Sequence, residues 1–240
     1  MITSPNNEKL KLVRKLAERK HREREELFVT EGEDLFATGI AAGAEPRFAL
    51  CAAGSGLDGE ETDPELLAGA SALGSGTRLI AVWPRCFAEE LGEPCLYLHG
   101  VADPGNVGTI LRSAEALLGA TVVLGPGCAD PHGPKAVRAS MGAIFARPPA
   151  RAAVDATPTP RAGLVAHGGA GPERLAGAAT LCLGAEREGL PAQVAAACDV
   201  LVTIPLRAGA TESLNVAAAA AIACERISSR AHLVEVEGGS

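Results

Sequence analysis

The feature that most constrains this chain is a series of short apolar segments that alternate with helical segments from residue 95 onward. An apolar run without polar alternation is typical of a strand in a parallel sheet that helices cover on both faces. The predicted strands of this half are 96–100, 121–124, 163–166, 179–183 and 200–204. Helices are predicted at 107–118, 134–141 and 213–230, and 143–146 is predicted to be short and extended. These patterns predict an α/β fold built on a parallel sheet.

The first half of the chain shows a shorter alternation. Strands predicted at 27–30, 47–52 and 78–82 are separated by helices at 33–42 and 64–72. This arrangement indicates a small α/β layer domain. An acidic segment bracketed by prolines follows and predicts a linker. The predicted domains are therefore 1–84 and 95–240, joined by a linker at 85–94.

Composition excludes several classes of protein. The seven cysteines contain no CxxC pair and the five histidines show no ligand spacing, so we expect buried thiols in a reducing compartment and no metal site. The amino terminus is polar, and no apolar run reaches the length of a membrane span, which leads us to expect a cytoplasmic protein. A net charge of −7 argues against positive potential over the whole surface but allows a local basic patch.

Such a patch is predicted at residues 6–26, which form a charged helix with a narrow apolar face. Two interpretations stay open: a solvated face, or a surface that contacts the phosphates of a nucleic acid.

Polar residues follow three of the predicted strands, where ligands bind in open parallel sheets. In the first loop, Asn106 is expected to cap the helix that contains Arg112. In the second, two glycines bracket Glu186, which suits a tight loop. In the third, Ser213 or Thr211 is expected to cap the last helix. None of the three matches a GxGxxG or Walker loop, which disfavours an ordinary dinucleotide or nucleoside triphosphate site.

Together the three loops resemble the motifs of the SpoU/TrmH family of RNA ribose 2′-O-methyltransferases, in the SPOUT superfamily. The matching segments are DPGNVG at 103–108 with Arg112, LGAEREGL at 183–190, and IPL at 204–206 with ESLNV at 212–216. The run KAVRASMGA at 135–143 also resembles the family's segment between its first two motifs. Residues 7–24 and FVTEG at 28–32 resemble the domain that often precedes the catalytic one.

The resemblance implies an S-adenosylmethionine-dependent enzyme that works as a homodimer. It implies a SPOUT-type catalytic domain with a deep trefoil knot, preceded by a small α/β RNA-binding domain of the ribosomal-protein L30e type. The residues expected to act in catalysis are Arg112, Asn106, Glu186, Ser213 and Asn215. Those expected to bind the methyl donor are Ala166, Gly184, Ile204, Leu206, Ser213 and Leu214.

Arg112 matches the family's essential arginine, for which two roles stay open. A guanidinium is protonated under nearly all conditions in proteins, so a clamp on a substrate phosphate costs less than a role as general base. The residues expected to contact RNA are Lys11, Arg14, Lys15, Arg22, Lys135 and Arg138. With 3% aromatic residues, recognition by shape and phosphate contacts is expected, rather than base stacking on Trp or Tyr.

The resemblance favours ribosomal over transfer RNA as the substrate. Two alternatives come from other classes. One is an RNA-binding protein that keeps the fold without catalysis, and the other is an ordinary nucleotide-dependent α/β enzyme.

Overall fold

The computed structural model describes residues 1–74, 76–207 and 213–237, with side chains described as far as residue 229. Thr211 and Glu212 of the third loop lie outside these residues. The helices are α1 (Glu8–Lys15), α2 (Arg19–Glu25), α3 (Glu33–Ala41), α4 (Pro64–Ala68), α5 (Pro104–Leu118), α6 (Pro134–Ser140), α7 (Ala143–Ala146), α8 (Ala192–Ala196) and α9 (Val216–Glu237). The strands are β1 (Leu27–Glu31), β2 (Phe48–Ala52), β3 (Glu60–Thr62), β4 (Leu79–Pro84), β5 (Cys95–Leu98), β6 (Thr121–Leu124), β7 (Ala150–Arg151), β8 (Arg161–Leu164), β9 (Thr180–Leu183) and β10 (Val200–Val202).

By its contacts the chain divides into two units. The first unit comprises residues 1–86 and 130–146, and the second comprises 87–129 and 147–240. The segment 130–146, which carries α6 and α7, thus packs with the first unit, although chain order had assigned it to the catalytic domain. The functional domains 1–84 and 95–240 stay a prediction.

The sheet of the first unit has the order β1-β4-β2-β3, in which β4 is antiparallel to both of its neighbours. This central strand reads LIAVWP and is apolar because both of its faces are covered. Leu79, Ala81 and Trp83 pack in one apolar cluster, and Ile80 and Val82 pack in another. The first cluster includes side chains of α6 and α7, which explains why residues 130–146 belong to this unit.

The charged segment 6–26 forms two helices, α1 and α2, rather than the single predicted helix. Leu16 at the break is fully buried. Nη1 of Arg22 donates hydrogen bonds to the carbonyl oxygens of Leu16 and Ala17, both at 2.8 Å, and so satisfies backbone groups that the break leaves unpaired. The prediction of a continuous helix was wrong because the buried guanidinium of Arg22 binds the carbonyl oxygens of Leu16 and Ala17, which a continuous helix would pair with backbone amides.

Residues 143–146 form the helix α7 and not the predicted extended segment. Gly142, with φ of +93°, reverses the chain after α6, and the amide of Phe145 donates to the carbonyl of Gly142 at 2.9 Å. Ile144 and Phe145 are both buried, so one turn of helix places two successive apolar side chains in the core.

The second unit contains the predicted parallel sheet, with the order β10-β8-β9-β5-β6-β7 and every pairing parallel. Apolar clusters cover its two faces. On one face α5 packs against α9 through small side chains, including the fully buried Ala114, Ala220 and Ala223. The α/β fold with a parallel sheet is therefore confirmed. Among the described residues, no helix is long and apolar enough to cross a membrane.

Candidate functional site

The carboxyl ends of β8, β9 and β10 meet at one edge of the parallel sheet, as the sheet order requires. A cavity of about 330 Å³ lies at this edge, a volume in the range of small-molecule sites. All six residues predicted to bind the methyl donor line it: Ala166, Gly184, Ile204, Leu206, Ser213 and Leu214. Leu206 and Leu214 are each 37% exposed, so the rim offers apolar surface to a ligand.

The second loop gives this cavity a rigid wall. The amide of Ala185 donates to the carbonyl of Gly189 at 3.1 Å, and the amide of Gly189 donates back at 2.9 Å. Gly189 adopts a φ of +68°, which closes the loop. A Cβ atom on Gly184 would lie 2.1 Å from the backbone of Gly189, so only glycine fits at residue 184.

The amino terminus of α5 is capped by Asp103 and not by Asn106. Oδ1 of Asp103 accepts a hydrogen bond from the amide of Asn106 at 2.9 Å. Because α5 begins earlier than predicted, at Pro104, Asn106 is the third residue of the helix rather than its cap. The prediction of a cap at Asn106 was therefore wrong, and its side chain is available for other contacts.

Those contacts join all three loops. Nδ2 of Asn106 donates to Oε1 of Glu186 at 2.8 Å, and Nδ2 of Asn215 donates to Oδ1 of Asn106 at 3.1 Å. We call this chain of hydrogen bonds, Glu186–Asn106–Asn215, the carboxamide bridge. Its charged acceptor, Glu186, strengthens the first of the two bonds.

Asn215 is anchored at the start of α9. Its Oδ1 accepts from the amides of Ala217 at 2.9 Å and Ala218 at 3.3 Å. Asn215 is thus the cap, and not the predicted Ser213, because α9 begins at Val216, three residues later than expected. Capping also fixes the orientation of this amide, since the oxygen that accepts from the backbone leaves the nitrogen to donate to Asn106.

Arg112 lies apart from this arrangement. Its side chain is exposed and is not among the described residues that line the cavity. Arg112 follows Asn106 by six residues on α5, which separates the two side chains by about 120° around the helix. Within one chain, the structure therefore does not bring Arg112 together with the carboxamide bridge.

The residues predicted to contact RNA all lie in the first unit. Lys11 is partly exposed, Arg14 and Lys15 are exposed on α1, and Lys135 and Arg138 are exposed on α6. Several neighbouring cations pair with carboxylates, as in Lys11–Glu8 at 2.9 Å and Arg19–Glu23 at 2.8 Å. Exposed pairs of this kind are weak, so they leave the cations able to exchange partners.

Arg22 is an exception and requires a correction. Only 4% of this residue is exposed, and its Nε donates to Oδ2 of Asp130 at 2.8 Å. Burial favours the neutral form of Asp130, but the hydrogen bond and charge of Arg22 outweigh it and hold the pKa of Asp130 below 3.8. Arg22 therefore forms a buried ion pair that stabilises the interior of the first unit, and it is not a surface contact for RNA.

Sequence analysis missed several residues that line the cavity. Ala185, Arg187 and Ala219 are among them. The first two are sequence neighbours of the predicted residues Gly184 and Glu186, so the same strand-end rule would have found them. Ala219 lies one turn into α9, and only the packing of that helix against the strand ends brings it to the cavity.

The cysteines carry no disulfide, and the seven of them are free. Burial raises the pKa of the Cys224 thiol to about 12, so this side chain is protonated at neutral pH. No group of three or more metal-ligating side chains occurs in the part of the chain that the structure describes.

Comparisons with known proteins agree on one family. A model described as the SpoU rRNA Methylase family matches residues 93–225, and one described as the MRM3-like substrate binding domain matches residues 7–89. A protein of Mycobacterium bovis described as an uncharacterized tRNA/rRNA methyltransferase is 42% identical over 151 residues, which are 57% of this chain and 52% of that protein. The 23S rRNA (uridine(2479)-2′-O)-methyltransferase of Streptomyces viridochromogenes is 35% identical over 143 residues, 53% of this chain and 50% of that one. The chain thus spans about half the length of the curated relatives it matches.

A solved structure is similar over nearly the whole chain. The AdoMet-bound rRNA methyltransferase from Sinorhizobium meliloti has a TM-score of 0.83 and 27% identity, and the match covers 97% of each chain. Both the first unit's sheet and the parallel sheet of the second unit therefore have counterparts in one known protein.

Proposed function

This chain belongs to the SpoU rRNA methylase family, and from that premise we propose that it methylates a ribose 2′-hydroxyl of ribosomal RNA with S-adenosylmethionine. The Streptomyces relative named as a 23S rRNA 2′-O-methyltransferase supports the reaction and the RNA class. The AdoMet-bound structure from Sinorhizobium meliloti supports the methyl donor.

The observation that carries the proposal is the cavity at the sheet edge. Six residues chosen from the sequence as contacts for the methyl donor all line this one cavity of about 330 Å³. The tight turn at Gly184 brings backbone groups to its wall, and Leu206 and Leu214 add apolar surface at its rim. Backbone polar groups beside apolar side chains suit a ligand that combines an adenine, a ribose and an amino acid.

When bound, S-adenosylmethionine would supply an electrophilic methyl group, which transfers from its sulfonium sulfur to the ribose 2′-hydroxyl oxygen while S-adenosylhomocysteine leaves as a neutral thioether. The task of this chain is then to align the two groups and to accept the hydroxyl proton. The carboxamide bridge fixes the positions of the first, second and third loops relative to one another, so that the cavity and the start of α5 form one rigid surface. Asn106, Glu186 and Asn215 act as positioning residues, and Ser213 lines the cavity beside them.

Arg112 is proposed to hold a phosphate of the RNA beside the reacting ribose. A planar guanidinium binds phosphate through two parallel hydrogen bonds without losing its charge. Because Arg112 is exposed and lies outside the described lining of the cavity, we infer that a homodimer completes the site. The trefoil knot expected of a SPOUT domain and a cytoplasmic location belong to the same proposal.

The first unit is proposed to bind RNA through Lys11, Arg14, Lys15, Lys135 and Arg138, which are exposed or partly exposed. The match of residues 7–89 to an MRM3-like substrate binding domain supports this role. Phosphates can replace the weak carboxylate partners of such cations.

The deciding experiment mixes the purified protein with S-adenosylmethionine labelled in its methyl group and with ribosomal RNA from a strain that lacks the gene. Label in RNA, mapped to a single 2′-O-methyl position, would support the proposal. RNA that binds without acquiring label would instead favour the RNA-binding protein without catalysis.

Arg112→Ala tests the role of the arginine. We expect a loss of methyl transfer of about 100-fold or more, because a charged hydrogen-bonded contact in the transition state is removed. Binding of S-adenosylhomocysteine, measured by calorimetry, should change little. Near-normal turnover by this variant would contradict the assignment of Arg112.

A further inference from the structure

The second unit has another cavity, of about 620 Å³, also at the carboxyl ends of its strands. It lies at the ends of β5, β6 and β7, and is lined by Tyr97, His99, Arg151, Asp155 and Gln193 together with apolar side chains. None of these five residues has a place in the carboxamide bridge or among the described residues that line the first cavity. Its volume and its few convergent polar groups are those of a binding site for a small organic group.

The walls of this second cavity are held in place by specific contacts. The hydroxyl of Tyr97 lies 3.4 Å from Nδ1 of His99. A Cβ atom on Gly125 would lie 2.3 Å from that hydroxyl, so a glycine is needed for Tyr97 to reach this position. Opposite, Arg161 donates to the backbone carbonyl of Asp155 at 3.0 Å and so anchors the loop that carries this carboxylate.

The polar groups match the chemistry of a nucleotide. Burial raises the pKa of Tyr97, which keeps its hydroxyl protonated and able to donate as well as accept. The amide of Gln193 also offers both donors and an acceptor, as the edge of a nucleobase requires. The guanidinium of Arg151 lies 4.4 Å from the centre of the Phe87 ring, and this cation–π contact holds a cation at the mouth where a phosphate can pair with it.

The second cavity adjoins the first. The backbone amide of His99 donates to the carbonyl of Leu183 at 2.9 Å. Leu183 lines the first cavity and His99 lines the second, so neighbouring strand ends separate the two. Both cavities therefore lie at the carboxyl ends of neighbouring strands in one sheet.

We propose that the second cavity binds a nucleobase of the substrate RNA that flanks the methylated nucleotide, with Tyr97, His99 and Gln193 facing the base and Arg151 its phosphate. This assignment rests on the proposed function, because it takes the first cavity as the site of the methyl donor. It would make the second cavity a determinant of which nucleotide is modified.

The chain offers a specific probe, because Tyr97 is its single tyrosine. Protein labelled with tyrosine that carries ¹³C at Cζ alone gives one side-chain signal, which is followed by NMR during titration with each of the four nucleoside 5′-monophosphates. Saturating S-adenosylhomocysteine is present throughout, so that the first cavity is filled.

A saturable shift of the Tyr97 signal with at least one nucleotide supports the proposal. His99→Ala and Gln193→Ala should each weaken that binding by about ten-fold, as expected for a lost hydrogen bond in a confined site. Arg151→Ala should weaken binding of the monophosphate but not of the corresponding nucleoside. Arg174→Ala, an exposed residue of the same unit that is not among those lining either cavity, is the matched control and should bind as the wild type does.

The absence of a saturable shift would overturn the proposal, as would equal affinity in the His99 and Gln193 variants. Measuring methyl transfer with the same wild-type preparation separates the two claims. Methyl transfer without any shift of the Tyr97 signal refutes the base site alone. A shift of the Tyr97 signal without methyl transfer refutes the proposed function, and with it the role of this cavity in selecting a substrate.

Discussion

At the scale of single residues, Asn106 is the member of the carboxamide bridge on which both hydrogen bonds depend. It donates to Glu186 and accepts from Asn215, which are 80 and 109 residues away along the chain. A carboxamide suits this place because it carries a donor and an acceptor on one rigid plane, whereas a carboxylate would only accept.

Replacing Asn106 with Ala should therefore release the three loops from one another. We expect the rate of methyl transfer to fall about 10- to 100-fold, as for the loss of a hydrogen bond to a charged group. The thermal midpoint should change little, because Glu186 and Asn215 are exposed and become solvated. Steady-state kinetics on ribosomal RNA measure the effect. Thr109→Ala, an exposed position on the same helix, serves as the control, and an equal loss there would refute the specific role of Asn106.

The buried pair of Arg22 and Asp130 is a second determinant at this scale. Asp130→Asn leaves the buried guanidinium without its counter-charge, so we expect the free energy of unfolding to fall by about 3–5 kcal/mol. Urea denaturation of the full chain, followed by the fluorescence of Trp83, measures this change. Trp83 is the single tryptophan and lies in the core of the same unit.

The same pair predicts a dependence on pH. The folded-state pKa of Asp130 lies below its ordinary value of 3.8. The stability that this pair contributes is therefore fully present above pH 3.8 and is lost as the pH falls through the lower folded-state value. The wild type should lose this contribution in acid, whereas Asp130→Asn lacks it at every pH. The free energies of unfolding of the two proteins, plotted against pH, should therefore converge at low pH. A constant difference down to the lowest measurable pH would contradict the assignment.

At the scale of elements, the packing of α5 against α9 connects the first and third loops. The contact is close because Ala114, Ala220 and Ala223 are fully buried between the helices and the sheet. Alanine favours the helical conformation, and its small side chain lets two helices approach closely. An alanine-rich sequence therefore promotes both the formation of α9 and its packing against α5.

Ala220→Leu should overpack this contact and lower the free energy of unfolding by about 1–3 kcal/mol. Ala218→Leu, two residues earlier on the exposed face, should change it by less than about 0.5 kcal/mol. Thermal and urea denaturation of both variants provide the comparison. If the two substitutions cost the same, α9 does not pack on α5 as the structure describes.

At the scale of the whole molecule, the proposed function requires an acidic chain to attract an acidic polymer. The net charge is −7, so binding of RNA depends on where the cations lie and not on their total. The exposed and partly exposed cations of α1 and α6 offer such a concentration on the first unit.

Neutralising Lys11, Arg14 and Lys15 to Gln should weaken RNA binding and make it less sensitive to salt. Each phosphate contact releases counterions, so the slope of log affinity against log salt should become smaller by about 1 for each contact that is lost. Filter binding at several salt concentrations measures the slope. The matched control neutralises three exposed cations outside the basic patch, Arg147, Arg174 and Arg226, and its slope should stay that of the wild type. An unchanged slope in the α1 variant would mean that this face is merely solvated.

The sequence by itself determined the α/β class and five of the six described strands of the parallel sheet, because a buried parallel strand has a local signature that is independent of its neighbours. The strand-end rule indicated the sheet edge at which the cavity lies, and the resemblance to the SpoU/TrmH family supplied the residues expected to line it. Element ends were less certain, and α5 and α9 each differ from the prediction by three residues at their start, which changed the caps from Asn106 and Ser213 to Asp103 and Asn215.

Only the tertiary structure decided which distant residues meet. The carboxamide bridge, the burial of Arg22 against Asp130, and the packing of 130–146 with the first unit all join positions far apart in the chain. Their pairing follows from sheet order and helix packing, and no local pattern around Arg22 distinguishes it from the exposed cations beside it. Long-range contacts of this kind are decided by the total free energy of the folded chain, and that is why the sequence indicated the residues of the site but not the bonds between them.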